Sequence, residues 1–476
     1  MAAGDLKSIS VEVIQQVTSQ QAWQYRIIPL SVTSGEMHLL VQGDHWNENI
    51  KEEIELLFGK NVAVEFIEAA LMTQLLSNHY RKSRNQQGKM LQSEISRSDD
   101  FLLFVIHQAN DVGSSDIHVE RYEDRCRIRL RIDGKLTEQF VIPGEDYPAM
   151  INKIKIKARL DISEKRLPQD GRIEIREGHK KFDLRVSVLP TLYGEKVVLR
   201  ILSRDATDID LTSLGFNEIQ LKAFEEAIRK PNGMVLISGP TGSGKTTTLY
   251  ASLKILNNVD TNILTIEDPV EYTLEGINQV QLKEDIGLGF TDALRSFLRQ
   301  DPDIIMLGEI RDEPTAQMAI RAALTGHLVL STIHTNSAWS TVSRLVDMGI
   351  PPYLLASTLN ASVAQRLVRL LCPECKSPEI LLPEDWPASY SRPPVSQHFR
   401  PKGCPHCHDS GFYGRKAIYE VIPINGEFAE CIKNSAFNVR ELLKKHRVTP
   451  MADQAIKLFS DGQTSLEEIH HLLNES

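Results

Sequence analysis

The chain has 476 residues, 41% hydrophobic and 25% charged, with 63 acidic against 54 basic side chains and a formal charge of −9. That length exceeds what one hydrophobic core serves and predicts about three domains. The acidic balance argues against bulk nucleic-acid binding, which wants a net basic face, and no apolar run approaches the roughly 20 residues of a membrane-spanning helix.

The opening "MAAGDLKSIS" has neither the basic nor the apolar stretch of an export signal, so a cytoplasmic location is expected. Disulfides are rare there. Residues 1–80 mix amphipathic segments with short β runs such as "MHLLV", and form an N-terminal domain. The polar stretch 81–100, "RKSRNQQGKMLQSEISRSDD", reads as a linker or an exposed helix. From 101 an apolar helix, "FLLFVIHQAN", precedes alternating runs: "RCRIRLRI" and "KLTEQFVI" around Asp133-Gly134, then "RIEIRE" and "KFDLRVSVL". An Asp-Gly pair between alternating runs is a hairpin signal, so 101–203 reads as a small α+β domain. After the linker 203–215, Asn217 caps a helix over 217–230 that Pro231-Asn232-Gly233 ends. From Met234 the order strand, glycine loop, helix, strand predicts α/β architecture with a parallel sheet through the domain 204–476, whose part 416–476 reads as helical.

"MVLISGPTGSGKTTTLYASL" is a buried strand, the pattern GxxxxGK[ST], then a helix. Gly239, Gly242 and Gly244, with Pro240, Thr241 and Ser243 between them, let backbone N–H groups turn inward around a phosphate. Lys245 reaches the β- and γ-phosphates of ATP, the Thr246 hydroxyl holds Mg²⁺, and Thr247 follows in the helix whose positive end faces the anion. Hydrolysis needs a carboxylate to orient water. "PDIIMLGEIRD" (302–312) ends a strand in Gly308-Glu309; glycine stands where P-loop enzymes usually carry an Mg²⁺-holding aspartate, so Glu309 is the expected catalytic acid. "ILTIEDPVEY" (263–272) is a second acid-tipped strand, with Glu267 the next candidate and Asp268 beside it; a solvated strand end is the plain alternative. "TGHLVLSTIHTNS" (325–337) sets His327 and His334 on either side of a strand, each either structural or a γ-phosphate sensor.

"CPEC" (372–375) and "CPHC" (404–407) stand 28 residues apart. Two CxxC pairs in a cytoplasmic chain make a closed Cys₄ site for structural Zn²⁺ from Cys372, Cys375, Cys404 and Cys407, with His406 and His408 as substitutes. The loop between them, with its irregular "WPASYSRPPVSQ", should project as a lobe. Cys126 and Cys431 stand alone and read as buried small hydrophobes.

In order, "GPTGSGKT", "TIEDPVE", "IIMLGEIRD" and "TGHLVLSTIHT" resemble the Walker A, Asp, Walker B and His boxes of the secretion ATPase superfamily. "SSDIHVE", "LPQDGRI", "RVSVLPTLYGEKVVLR" and the tetracysteine segment resemble its assembly branch, which serves type II secretion and type IV pilus extension. The resemblance covers about 100–476. It implies a RecA-like P-loop domain, a homohexamer working with ATP and Mg²⁺, and cytoplasmic domains of inner-membrane platform proteins as partners. It also implies a location peripheral to the inner membrane, while the acidic balance leaves no direct nucleic acid expected. The first domain would suit docking to a membrane-anchored partner. Arg185 and Arg200 match arginines that reach the nucleotide's phosphates, in a composite site between subunits. Arg295, Arg299, Arg311 and Arg344 match positions lining the nucleotide or subunit interface. The alternative is a nucleic-acid translocase or helicase, against which stand the net charge and 6% aromatic content. A nucleotide-binding scaffold without turnover is disfavoured by Lys245, Thr246 and Glu309.

Overall fold

In a computed structural model of the chain the described residues are 13, 16–17, 19–33, 35–69, 71–72, 75–76, 101–123, 125–177, 180–202, 210–382, 386–387, 390, 397–436 and 438–474. Both expected linkers, 81–100 and most of 203–215, lie outside them. The chain divides into two compact units, 1–101 and 102–476.

The first unit carries a three-stranded sheet. Strand β1 (Ile27–Val32) runs antiparallel to β2 (Glu36–Gln42), which is parallel to β3 (Asn61–Ile67). The helix Glu48–Phe58 makes the crossover; Asn47 caps its first turn and Gly59, at φ 62°, ends it. Ile27, Leu39, Val41 and Ile54 are fully buried in its core.

The second unit holds two larger sheets. The first is antiparallel, in the order β6-β5-β4-β9-β8-β7. Its strands are β4 (Asp116–Arg121), β5 (Cys126–Ile132), β6 (Lys135–Ile142), β7 (Gln169–Glu177), β8 (Lys180–Thr191) and β9 (Gly194–Leu202). Asp133 and Gly134 both take positive φ, 47° and 84°, which gives the tight β5–β6 turn. Alternation sorts the faces. Ile117, Val119, Ile128, Leu130, Leu184, Val186, Val197 and Leu199 are buried on one. The other carries Arg127, Arg129, Arg131, Lys196, Arg200, Arg185 and Arg172, at the alternate positions of their strands, among Asp116, His118, Glu120 and Asp183. Cross-strand register sets Arg172 opposite Arg185, Arg185 opposite Arg200 and Arg200 opposite Asp116, so three arginines stand in one row.

The second sheet has the order β12-β11-β13-β14-β10-β15-β18. Its strands are β10 (Gly233–Ser238), β11 (Ile263–Glu267), β12 (Asn278–Gln281), β13 (Ile304–Leu307), β14 (Leu328–Ile333), β15 (Leu359–Leu371) and β18 (Phe412–Pro423). All are parallel except β18, which runs antiparallel to β15. Both faces are covered at its centre, so β10, β11, β13 and β14 are buried along their whole length and read as mainly apolar runs. Val235 and Ile237 pack with Phe224, Leu249 and Leu253 of the helices Glu218–Ile228 and Lys245–Leu256. Met234 and Leu236 pack the opposite side with the helices Phe290–Phe297, Glu313–Leu324 and Ala338–Asp347. The Asn217 cap is present as a full capping box with Gln220.

Two expectations change. The segment 416–476 is not helical throughout: Phe412–Pro423 is strand β18, and the helices Gly426–Lys433, Arg440–Lys445, Met451–Ser460 and Leu466–Asn474 follow it. Its β-branched and aromatic residues, "AIYEVI", fit a strand paired along the edge that the thirteen-residue β15 offers. The loop between the cysteine pairs does not simply project. It forms a ribbon of β16 (Ser377–Ile380) with β17 (Gln397–Arg400), and Leu381 and Trp386 bury into the main core, Trp386 against Phe459 at 5.5 Å. Cys126 is buried as expected and Cys431 is half-buried against that core. Among the described residues no helix is long and apolar enough to cross a membrane.

Candidate active site

The parallel strands of the second sheet end on one edge, and four loops leave from it: 239–244 after β10, 268–271 after β11, 308–312 after β13 and 334–337 after β14. Loops at the carboxyl ends of parallel strands are where α/β sheets bind ligands.

The glycine loop is shaped by its neighbour β15. Gly239 has φ 150°, and a Cβ there would stand 2.5 Å from the Gln365 carbonyl oxygen and 2.6 Å from Ser243 Oγ. Gly244, at φ 88°, starts the helix Lys245–Leu256 with no side-chain cap, so its first N–H groups face outward. Gln365 also accepts from Thr248 Oγ1 at 2.9 Å, which pins that helix to β15. Lys245 is 9% exposed, and its Nζ donates to the carbonyls of Gly239 (2.8 Å) and Pro240 (3.1 Å). Burial lowers its pKa; Glu309 opposes that and Arg366 adds to the lowering. Thr241, Gly242 and Thr246 are exposed and Thr247 is half-buried, while Ser243 Oγ is buried without a hydrogen-bond partner. Only glycine fits this cradle, the helix end is uncapped, and a buried ammonium is held by weak carbonyl acceptors. These features fit a polyphosphate, which supplies the charge the ammonium lacks.

Glu309 stands beside His334, Oε2 to Nε2 at 3.2 Å, and accepts a hydrogen bond from Arg311, which also lies 3.4 Å from Asp268 Oδ2. Burial tends to raise its pKa, but the Arg311 guanidinium and His334 outweigh that and hold the carboxyl below the usual range. Glu267 is different. It is 3% exposed and takes hydrogen bonds from Tyr250, from Thr265 (2.6 Å) and from Gln279 (3.1 Å). Three donors occupy its oxygens, so the geometry favours Glu309 as the group that meets water and Glu267 as a brace for β11.

Arg185 donates to the Val270 carbonyl and lies 3.4 Å from Glu271 Oε2 of its own chain, at the rim of a cleft of about 1090 Å³ also lined by Arg172, Lys254 and Tyr272. Arg200 is held by Asp116, Nε to Oδ1 at 3.0 Å. Thus Arg311 joins Glu309 to Asp268, and Arg185 meets Glu271 three residues further along the same loop, all within one chain.

His327 is not brought to the loop. It sits before Leu328, at the amino end of β14, about 20 Å of strand from His334. Its Nδ1 lies 2.9 Å from the Ala322 carbonyl oxygen and 3.1 Å from Thr325 Oγ1. In a parallel sheet only one end of each strand reaches the ligand edge, and His327 lies at the other. Arg295 bonds within the helix Phe290–Phe297, to Asp292 (3.3 Å), Arg299 in the turn after it donates back to the Arg295 carbonyl (2.8 Å), and Arg344 is exposed on the helix Ala338–Asp347.

Sequence reasoning missed Arg366, Gln365, Tyr250 and Gln279. The available signal was polarity inside an apolar strand: Gln365 and Arg366 interrupt the thirteen-residue β15 and are both buried.

The four cysteines converge. Their sulfurs all lie within 4.8 Å of one another, with Cys372–Cys404 at 3.8 Å and Cys375–Cys407 and Cys404–Cys407 at 3.7 Å. Four thiolates about 2.3 Å from a tetrahedral ion stand about 3.8 Å apart, while a disulfide needs about 2.05 Å. The set therefore fits a metal and not a pair of bridges. The backbone N–H groups of Cys404 and Gly411 point at Cys407 Sγ, each at 3.2 Å, as suits a thiolate. His406 packs on Tyr413 instead (4.6 Å).

The fold and site are those of a P-loop ATPase of the secretion type. The chain belongs to the type II/IV secretion system protein family, whose model matches residues 97–471. It is 41% identical to the type IV pilus assembly ATPase PilB of Myxococcus xanthus, over 98% of this chain and 88% of that one. It is 46% identical to type II secretion system protein E of Pseudomonas aeruginosa, over 78% of this chain and 74% of that one. Among solved structures it resembles the pilus retraction motor PilT with bound ADP, with 28% identity, a TM-score of 0.55, and coverage of 77% and 95%. It shares its fold with the Legionella pneumophila ATPase DotB at a TM-score of 0.61 and 22% identity, over 79% of this chain and 96% of that one.

Proposed function

We propose that this chain is a cytoplasmic, homohexameric motor at the inner-membrane face, which hydrolyses ATP to drive assembly of a pilin-like filament for type II secretion or a type IV pilus. The supporting observation is the pairing of a buried Lys245 on a glycine-only cradle with an ionised Glu309 at the next strand ends. The Gly239–Gly244 amides bind the β-phosphate, and Lys245 leaves its loop carbonyls for the β- and γ-oxygens. Glu309 orients water in line with the γ-phosphate, with His334 as its contact and Glu267 bracing the strand beside it. Thr246 would hold Mg²⁺, which neutralises phosphate charge when bound. Arg185 and Arg200 neutralise charge developing in transfer, which is worth about 10³–10⁵ in rate for such fingers. Asp268 and Arg311 form the ion pair between the acid loops; Arg295, Arg299 and Arg344 belong to contacts with a neighbouring subunit.

Cys372, Cys375, Cys404 and Cys407 hold structural Zn²⁺, which ties the β16–β17 ribbon to the start of β18. The domain 1–80 docks on cytoplasmic domains of the inner-membrane platform, 101–203 brings the arginines, and 204–476 is the ATPase domain. Relatives named for pilus assembly and for type II secretion both favour this reading over a nucleic-acid translocase. Phosphate release by the purified chain tests it. Cytoplasmic domains of platform proteins should stimulate turnover and single-stranded DNA should not; stimulation by DNA alone would overturn the proposal.

A further inference from the structure

Arg366 occupies an unusual place for a cation. It is 5% exposed, on β15, two residues beyond the position where Ala364 pairs with Ser238, the last residue before the glycine loop. Its Nη1 donates to the Gln365 carbonyl at 3.2 Å and stands 3.3 Å from where a Cβ on Gly239 would be. The guanidinium therefore lies under the first glycine of the loop. Its Nη2 donates the other way, to the Asn336 carbonyl at 3.1 Å and to Asn336 Oδ1 at 3.4 Å. Asn336 is two residues past His334, which contacts Glu309 at 3.2 Å. One planar group thus spans the floor of the phosphate loop and the loop that carries the acid's partner.

We propose that Arg366 is a positioning residue for hydrolysis: it locks the 334–336 loop to the base of the glycine loop, so that His334 meets Glu309 at the distance the reaction needs. A guanidinium suits this because its fork fixes two directions at once, which a lysine ammonium does not. The field supports the geometry. Arg366 adds to the lowering of the Lys245 pKa, so two cations share a buried corner that an arriving polyphosphate would stabilise. It also sits within electrostatic reach of Glu420, whose carboxyl burial pushes up and Arg366 draws back down. Misplacing a reacting group by about 1 Å costs on the order of 100-fold in rate, so the loss should fall on kcat and not on nucleotide affinity.

The inference rests on the ATPase reading of the site. The test uses the full chain and the Arg366→Lys, Asn336→Ala, His334→Ala and Arg366→Lys/His334→Ala variants. Each is melted to confirm folding, titrated with a fluorescent ATP analogue, and assayed for phosphate release. Arg366→Lys should lower kcat about 10- to 100-fold with nucleotide Kd within about 3-fold of the parent. Adding His334→Ala should cost little more than His334→Ala alone, because both act through one contact. Asn336 is exposed, so Asn336→Ala should fold whatever the fate of the buried variant, and should lower kcat several-fold. Unchanged kcat in Asn336→Ala and in any folded Arg366→Lys protein overturns the inference, as does a double-variant loss equal to the product of the single losses. A parent chain that neither binds nor hydrolyses ATP overturns the ATPase reading instead.

Discussion

Glu120 should anchor the charged face of the six-stranded sheet, and Glu120→Gln measures that anchor. Its side chain is 4% exposed and meets Arg127 Nε at 3.0 Å, Arg129 Nη2 at 2.8 Å and Lys196 Nζ at 3.1 Å. Burial alone would raise its pKa, but hydrogen bonds from Arg129, Lys196 and Arg127 carry it from 4.5 down to about 2. At about 1.4 kcal/mol per unit that shift corresponds to about 3 kcal/mol. The three cations are 17–34% exposed, so screening reduces the figure to about 2 kcal/mol. The sign follows from the depressed value. The stabilisation is fully present above the unfolded-state pKa near 4.5 and is lost as pH falls through about 2, halving near pH 3. Hydrogen exchange of the amides of 116–132, read as local opening free energy across urea, should show Glu120→Gln weaker by about 2 kcal/mol at pH 7. The gap to the parent should have roughly halved at pH 3. A loss under about 0.5 kcal/mol at pH 7, or a gap that widens in acid, would refute the ion cluster as the anchor.

Two further outcomes follow from the site. The carboxyl of Glu309 is held low by Arg311 and His334, so the base stays ionised at neutral pH and the acid limb of kcat/KM should lie below the range of an ordinary glutamate. Arg311→Ala should move that limb to higher pH, and an unmoved limb would assign the titration to another group. Protein purified without chelator should contain one zinc per chain by elemental analysis. Cys404→Ser should lower metal content and melting temperature while nucleotide binding survives; stoichiometric zinc with all four cysteines freely alkylated would exclude this ligand set.

Most of the ATPase domain was legible because its signals are local. The glycine loop needs particular residues at fixed spacing, and an apolar strand before it and a helix after it complete the pattern. The Asp133-Gly134 turn and the Asn217 cap likewise depend on a few adjacent residues. The rest depends on contacts between residues far apart in sequence. That β18 is a strand takes both its own β-branched and aromatic residues and the edge of β15, and the second is not local to residues 412–423. Strand direction decides the fate of the two histidines: both flank β14, yet only His334 lies at the ligand edge. Glu267 and Glu309 look alike as acids closing apolar strands. What separates them is Tyr250 and Gln279, which come from another helix and another strand. Arg366 showed only as a polar break in an apolar run, and its role depends on the distant Asn336 and Gly239.

The central claim is that Glu309 activates water on a nucleotide held by Lys245. Phosphate release and nucleotide binding, measured together on the parent and Glu309→Gln, test it most directly. The carboxamide keeps the shape and removes the charge, so turnover should fall at least about 100-fold. Binding of ATP should stay near that of the parent, while Lys245→Ala weakens binding itself. Wild-type turnover in folded Glu309→Gln protein would contradict the assignment and pass the role of base to Glu267, the next candidate.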